Sequence, residues 1–147
     1  MEDRFMLDTH IFDAILSDKN ACDVFSRGHK YYVCHIQKNE IDAINDPLKA
    51  DKKAKLLALI NKINPEMVPT ESFVLGFSAL GQAKLGNGGY IEDLRKGNIN
   101  NTKDALIGEA AIKNNCVLIT DDDVLRKRVI DLGGKAFSFN DYKNKTY

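Results

Sequence analysis

Short apolar runs alternate along this chain with segments whose apolar residues recur at helical spacing. The runs are rich in aromatic and β-branched residues, which favour buried strands. They read RFMLD, KYYVCHI, CVLI and KAFSF. Helical spacing follows the first three, in THIFDAILSD, QKNEIDAIND and DDVLRKRVIDLGG, and Gly133 is expected to close the last of these helices. The alternation predicts an α/β domain with a mainly parallel sheet.

Two further helices are predicted from the residues at their ends. The segment DPLKADKKAKLLALINKINPEM begins with Asp46 as N-cap and Pro47 at the first helical position, and Pro65 is expected to end it. In NNTKDALIGEAAIKNN, Thr102 is the predicted N-cap of a helix with a broad apolar face. Between these helices, PTESFVLGFSALGQAKLGNGGY mixes β-branched residues with glycines and predicts only a mobile Gly/Asn surface loop near residues 85–90.

The size and charge of the chain narrow its possible functions. At 147 residues it fits one domain, residues 1–147, which is large enough to bury a core. Its 21 basic and 21 acidic residues give a formal net charge of zero, so no overall basic field attracts nucleic acid. A polyanion would therefore be held locally or through metal ions.

The cysteines and the hydropathy pattern favour a reducing, aqueous compartment. Cys22, Cys34 and Cys116 lack metal-ligand spacing and cannot all pair within one chain, so we expect reduced thiols. No apolar stretch approaches the ~18 residues of a membrane span, and the first residues do not form a charged-then-apolar leader. The sequence predicts a soluble, cytoplasmic protein that does not enter a membrane.

Carboxylates stand where two of the predicted strands end. Asp8 ends the first strand, and the triplet Asp121–Asp123 ends the strand that contains CVLI. Glu40 falls early in the helix after KYYVCHI, and Asp104 falls in the first turn of the helix before CVLI. Since sites in open parallel sheets form beyond the carboxyl ends of the strands, these acids are expected in one crevice. Their mutual repulsion and their oxygen-only chemistry favour Mg²⁺ or Mn²⁺ as a ligand.

Each of these acids, taken alone, also has a purely structural interpretation. An aspartate after a strand is most often an N-cap, which would explain Asp8, and a helix dipole would explain Asp104. Glu40 alone fits a solvated helix face.

The aspartate triplet needs more than one explanation, because a helix needs only one capping side chain. We expect Asp121 to cap the next helix, Asp122 to point into the crevice, and Asp123 to be mostly solvated.

Other polar features have simpler interpretations. The histidines have no ligand spacing, so His10 is expected at a helix start and His35 in partly buried packing. The glycines of LGNGGY are not followed by the Lys-Ser/Thr of a phosphate loop. The lysines of KADKKAK and the RKR at 126–128 are typical of solvated helix faces.

Four segments of the chain resemble, in order, the motifs of the PIN-domain nucleases. They read MLDTHIFDA, HIQKNEI, TKDALIGEAAIKNNCVLIT and TDDDVL. This family of small metal-dependent ribonucleases includes the VapC-type toxins of bacterial toxin–antitoxin pairs. The resemblance covers nearly the whole chain, and its most specific part is DALI followed by an apolar strand and then Thr-x-Asp. It implies a parallel α/β sheet wrapped by helices.

The resemblance also implies a set of site residues. Its four acids fall on Asp8, Glu40, Asp104 and Asp122. Thr120 would orient the last of them through its hydroxyl. Because Asp121 and Asp123 flank Asp122, the fourth acid stays open within the triplet.

The chemistry that the resemblance implies is metal-dependent cleavage of RNA. One or two Mg²⁺ or Mn²⁺ ions held by the acids would activate water and stabilise the charge on the scissile phosphate. The expected substrate is single-stranded or looped RNA, whose bases are exposed. Family members commonly form homodimers, and an antitoxin protein inhibits the toxins by covering the acidic crevice.

The main alternative is a noncatalytic α/β binding module, or a receiver-like pocket that binds Mg²⁺ for signalling. A receiver places a lysine after a late strand, pointing into its acidic pocket. Lys135 instead precedes AFSF, on the other side of that strand, which favours the nuclease.

Overall fold

A five-stranded, all-parallel sheet forms the centre of the fold in a computed structural model that describes residues 4–18, 29–69 and 102–144. Its strands are β1 (Arg4–Leu7), β2 (Lys30–Val33), β3 (Glu66–Met67), β4 (Val117–Ile119) and β5 (Lys135–Phe137). The α-helices within the described ranges are α1 (Thr9–Ser17), α2 (His35–Asp42), α3 (Ala50–Ile63), α4 (Thr102–Lys113), α5 (Asp123–Asp131) and α6 (Phe139–Asn144). The predicted α/β class with a parallel sheet is confirmed.

The strand order is β3-β2-β1-β4-β5, with β1 at the centre. The chain first builds β2 and β3 on one side of β1, then returns to place β4 and β5 on the other side. Phe5 of β1 accordingly pairs with Tyr31 of β2 and with Val117 of β4. The sheet therefore has a topological switch point between β1 and β4, where open α/β sheets form a crevice.

Helices cover both faces of the sheet. Side chains alternate along β1, so Phe5 and Leu7 enter one core cluster and Met6 enters the other. Residues of α1, α3 and α6 pack on the face of Phe5, whereas residues of α4 and α5 pack on the face of Met6. Because helices cover both faces at β1, β2 and β4, these strands are mostly apolar, whereas both residues of β3 are exposed.

The predicted strand KYYVCHI is too long, because the segment divides between β2 and α2. Strand β2 ends at Val33, and α2 begins at His35 with Cys34 as its N-cap residue. The side chain of Gln37, the third residue of α2, accepts the backbone N–H of Cys34 at 3.0 Å. This reciprocal capping starts the helix inside a segment of high β propensity. Glu40 consequently lies in the second turn of α2, later than predicted.

The predicted ends of α3 and α5 are confirmed in most respects. Asp46 accepts the backbone N–H of Leu48 at 2.9 Å, although Pro47–Lys49 forms a 3₁₀ turn before α3 proper. Asn64, with a φ of 51°, ends α3 next to Pro65. Gly133, with a φ of 87°, follows α5 as expected for a C-terminal glycine. Helix α4 is described from Thr102 itself, the residue predicted to precede it.

Two elements are not predicted by the sequence pattern. Strand β3 has only two residues, and it exists by pairing with Tyr32 and Val33. Helix α6 begins at Phe139, inside the run KAFSF that predicted a strand, so that prediction was wrong at its end. Ser138 Oγ accepts the backbone N–H of Asp141 at 3.1 Å, and the ring of Tyr142 packs 4.9 Å from that of Phe5. A local cap and a distant aromatic contact together stabilise α6.

Three further predictions concern the glycine-rich loop, membrane-spanning segments and the cysteines. The loop predicted near residues 85–90 lies outside the described residues. Within the described ranges, no helix is both long and apolar enough to cross a bilayer. Cys34 and Cys116 are free and buried, and burial raises their pKa values to about 12 and about 11, so both thiols stay protonated near neutral pH.

Candidate functional site

The carboxyl ends of β1 and β4 lie side by side at the switch point. Strand β1 leads into α1 on one face of the sheet, whereas β4 leads into α5 on the other. The backbone N–H of Asp8 donates to the carbonyl of Ile119 at 3.0 Å, so the ladder extends beyond the strands. The residues that follow the two strands, Asp8 and Thr120, are thereby brought together at the crevice.

A buried hydrogen-bond network holds Asp8 at this position. Asp8 is only 4% exposed, and its Oδ1 accepts the backbone N–H of Thr9 at 2.8 Å as the N-cap of α1. Its Oδ2 accepts the hydroxyl of the fully buried Thr120 at 2.7 Å. The same hydroxyl oxygen accepts the backbone N–H of Asp122 at 3.1 Å. One threonine therefore connects the residue after β1 to the residue that starts α5.

The aspartate triplet is arranged differently from the prediction. Asp122, rather than Asp121, caps α5, because its Oδ1 accepts the backbone N–H groups of Val124 and Leu125 at 3.0 and 3.1 Å. Asp121 instead accepts the backbone N–H of Phe139 at 3.0 Å. The predicted capping role of Asp121 was wrong because its side chain holds the start of α6, which the sequence pattern did not reveal.

Arg126 braces the loop that carries the triplet. Its Nη1 donates to the carbonyl of Thr120 at 2.8 Å, and its Nη2 pairs with the carboxylate of Asp123. The side chain of Asp123 is 85% exposed, as predicted, but that of Arg126 is only 23% exposed. Arg126 is therefore not a solvated helix-face residue, as the RKR pattern had suggested, but a structural support of the crevice.

Asp104, in the first turn of α4, reports the electrostatics of the crevice. The pKa of Asp104 is raised to about 6, first by burial and then by the charges of Asp8, Asp122 and Glu40, while His10 acts in the opposite direction. A carboxylate at a helix N-terminus would ordinarily be favoured by the dipole. Burial therefore makes the largest contribution to the raised pKa of Asp104, and the negative charges of Asp8, Asp122 and Glu40 add to it.

The four acids do not form a preformed coordination cage. Among residues 4–18, 29–69 and 102–144, no three or more His, Cys, Asp or Glu side chains are arranged so that they could hold a metal ion. The acids lie at different depths, with Asp8 buried, Glu40 and Asp104 half-buried and Asp122 exposed. Their donor set consists of carboxylate oxygens, which fits the chemistry of Mg²⁺ or Mn²⁺. A shared ion would require the more exposed side chains to turn inward.

Gln37 is a residue of the site that the functional reading of the sequence missed. It is 1% exposed, and its Nε2 donates to the carbonyl of Leu7 at 3.0 Å while its Oε1 accepts the N–H of Cys34. The amide thus ties the start of α2, which carries Glu40, to the strand end that carries Asp8. The available signal was a glutamine three residues after an N-cap position.

Comparison with protein-family models finds no match to this chain, and neither does comparison with curated proteins. The function is therefore inferred from the residues of the crevice.

Proposed function

We propose that this protein is a metal-dependent endoribonuclease of the PIN-domain type that cleaves phosphodiester bonds in single-stranded or looped RNA. The hydrogen-bonded strand ends carry the proposal, because the hydroxyl of Thr120 after β4 donates to Asp8 after β1. Burial, and then the charges of Asp8, Asp122 and Glu40, raise the pKa of Asp104, which supports it. Collecting four carboxylates in one crevice opposes folding unless a cation offsets their repulsion. Asp8 and Asp122 follow the two strands that flank the switch point, where open α/β sheets bind ligands.

The residues that would hold Mg²⁺ or Mn²⁺ are Asp8, Glu40, Asp104 and Asp122. When bound, such an ion activates water as a nucleophile and stabilises the charge that develops on a phosphate. The Oδ1 atom of Asp122 is engaged by the N-terminus of α5, so Oδ2 is the atom left for this role. Thr120 and Arg126 keep the loop after β4 in place through their hydrogen bonds. These contacts support an acidic crevice of fixed backbone geometry.

The neutral net charge of the protein means that RNA must be held locally. Lys103 precedes Asp104 in α4, and Lys38 lies in α2 two residues before Glu40; both lysines are exposed. Lysines beside the acids can contact phosphates of the RNA backbone while the ion occupies the crevice. A ribonuclease of this kind would act in the cytoplasm.

The substitution Asp8→Asn tests the proposal. An amide keeps the shape of the carboxylate but removes its charge, so we expect loss of Mg²⁺- or Mn²⁺-dependent cleavage of a single-stranded RNA. The matched control is Asp131→Asn, which changes an exposed aspartate at the far end of α5 and should cleave like the wild type. Circular dichroism and thermal melting of both variants establish that each is folded.

Two outcomes would contradict the proposed ribonuclease function. Cleavage that persists in Asp8→Asn, or in excess EDTA, would indicate another mechanism. Mg²⁺ binding without cleavage of any RNA would favour the noncatalytic or receiver-like module. A receiver would need a lysine at the acidic edge, whereas Lys135 is the first residue of β5 and lies at the opposite edge of the sheet.

We further propose that the enzyme is the toxin of a toxin–antitoxin pair, acts as a homodimer and is inhibited by an antitoxin that covers the crevice. Induced expression of the wild type should arrest bacterial growth, and Asp8→Asn should not. A small upstream gene that encodes a DNA-binding protein and relieves the arrest would support the pairing. Growth unaffected by the wild type would remove the toxin role without affecting the ribonuclease.

A further inference from the structure

A cleft of about 420 Å³ lies on the α1 and α3 side of the sheet, next to the carboxyl end of β2. Phe12, Leu57 and Ile60 contribute apolar walls, and Val33, the last residue of β2, also lines it. Its volume falls within the range of pockets that take small ligands. Phe12 is fully buried beneath the cleft, whereas Leu57 and Ile60 are half-buried and Met67 is exposed. These aliphatic side chains provide the accessible apolar surface against which a flat ring can pack.

The polar residues of the cleft suit a base attached to a phosphate backbone. Three amides, from Gln37, Asn61 and Asn64, line it together with Lys38. The amide of Gln37 is buried and already bonded to Leu7 and Cys34. The exposed amides of Asn61 and Asn64 offer both hydrogen-bond donors and an acceptor, as the edges of nucleobases do. Among the described residues that line the cleft, Lys38 alone is charged, so the cleft does not repel a polyanion as the neighbouring acids do.

The cleft and the acidic crevice share one residue. The buried Gln37 lines the cleft, and its Nε2 donates to the carbonyl of Leu7, which directly precedes Asp8. A strand of RNA with one phosphate at the acids would therefore have a neighbouring base beside the cleft. Phe12 belongs to the first turn of α1, the helix that Asp8 caps, which places the apolar wall close to the same corner.

We propose that this cleft binds one unpaired nucleobase of the RNA, next to the phosphate that is cleaved. The identity of the ligand rests on the proposed ribonuclease function. An apolar peptide side chain would make no hydrogen bond with Asn61 or Asn64 and no ion pair with Lys38, which favours a nucleotide over an apolar peptide as the ligand.

The test compares intact RNA with RNA that lacks one base. A single-stranded hexanucleotide is bound to the protein in EDTA, and an abasic position is scanned along it. We expect one position at which loss of the base weakens binding by roughly tenfold, because the base loses its packing and hydrogen bonds in the cleft. Ile60→Trp, which fills the cleft, should weaken binding of intact RNA by a similar factor and abolish the effect of the abasic position, because the two changes remove the same contact.

Matched lysine variants provide the control. Lys38→Gln should weaken binding and reduce its dependence on salt, whereas Lys135→Gln, at the opposite edge of the sheet, should do neither. If Ile60→Trp does not fold by circular dichroism, Asn61→Ala carries the test, because Asn61 is exposed and its loss leaves the core intact.

The outcomes separate this inference from the function on which it rests. If the folded variants keep wild-type RNA affinity and the same sensitivity to the abasic position, the cleft does not bind a base. The ribonuclease would still stand if Asp8→Asn abolished cleavage. Conversely, the protein could bind RNA through the cleft and yet cleave no RNA. That result would support the base-binding site and overturn the proposed nuclease function.

Discussion

At the scale of single residues, Asp122 shows how one carboxylate can hold a helix and still contribute charge to a crevice. Its Oδ1 accepts two backbone N–H groups of α5, while its charge raises the pKa of Asp104. Asp8 does the same at the start of α1. Capping and the proposed site role therefore fall on the same side chains, and substitutions can separate them.

The two roles of Asp122 should respond differently to substitution. Asparagine caps helices about as well as aspartate, so Asp122→Asn should strongly reduce RNA cleavage with little change in melting temperature. Asp122→Ala loses the cap as well and should cost about 1 kcal/mol in urea unfolding. Asp123→Asn, an exposed neighbour, is the control and should change neither property. If Asp121→Asn lost activity while Asp122→Asn kept it, Asp121 rather than Asp122 would be the fourth acid of the site.

Asp104 should oppose folding at neutral pH when no metal is present. Its pKa in the folded protein, about 6, lies above the ordinary value of 3.8, so folding favours the protonated form. The contribution of the protonated Asp104 carboxyl to the free energy of unfolding is therefore fully present below pH 3.8 and is lost as the pH rises through about 6.

We expect Asp104→Asn to stabilise the protein more at pH 7 than at pH 4. The difference in its effect on the free energy of unfolding between the two pH values should be on the order of 1 kcal/mol, a value reduced for the solvent exposure of the side chain. Urea denaturation in EDTA at both pH values measures the effect, with Asp131→Asn as the control. An Asp104→Asn effect that is equal at pH 4 and pH 7 would contradict the assignment.

At the scale of elements, short capping contacts decide where the helices near the site begin. Gln37 starts α2 inside an apolar run, and Ser138 starts α6 where a strand was predicted. Close packing also restricts which residue can stand between α5 and β5. Gly134 lies where an added Cβ would be 2.8 Å from Val129 Cγ1 and 2.9 Å from Ile112 Cγ1.

The two glycines after α5 should therefore respond differently to substitution. Gly134→Ala forces the side chains of α4 and α5 apart and should cost about 1–3 kcal/mol. Gly133 has a positive φ but no atoms within 4 Å of an added Cβ, so Gly133→Asn should cost less, because asparagine accepts this backbone conformation. Urea unfolding of both variants provides the comparison. A Gly134→Ala variant as stable as the wild type would show that this packing relaxes freely.

At the scale of the whole molecule, the strand order collects charge that is dispersed along the chain. The hydroxyl of Thr120 reaches Asp8 across 112 positions of sequence, because β4 returns to the side of β1. The protein has no net charge, yet its switch point is locally acidic. A divalent cation bound there would link ligand binding to the stability of the whole fold.

Mg²⁺ or Mn²⁺ should consequently raise the melting temperature of the wild type at neutral pH. A ligand at a hundred times its dissociation constant stabilises the folded state by about 2.7 kcal/mol. Differential scanning fluorimetry should show the rise in the wild type and in Asp131→Asn, but not in Asp8→Asn. NaCl at equal ionic strength serves as the control, and an equal rise with NaCl would indicate screening rather than a site.

The sequence by itself determined the α/β class, the main strands and helices, and the positions of Asp8 and of the aspartate triplet after their strands. Periodicity, capping residues and the rule for parallel sheets depend only on local pattern and chain order. The tertiary structure alone decided that Asp122 rather than Asp121 caps α5, that Gln37 joins α2 to β1, and that β3 and α6 form. It also decided that Asp104 is half-buried, so that burial, together with the charges of three acids distant in sequence, raises its pKa. These features depend on contacts between residues far apart in the chain. A local sequence pattern cannot predict the free energies of such contacts.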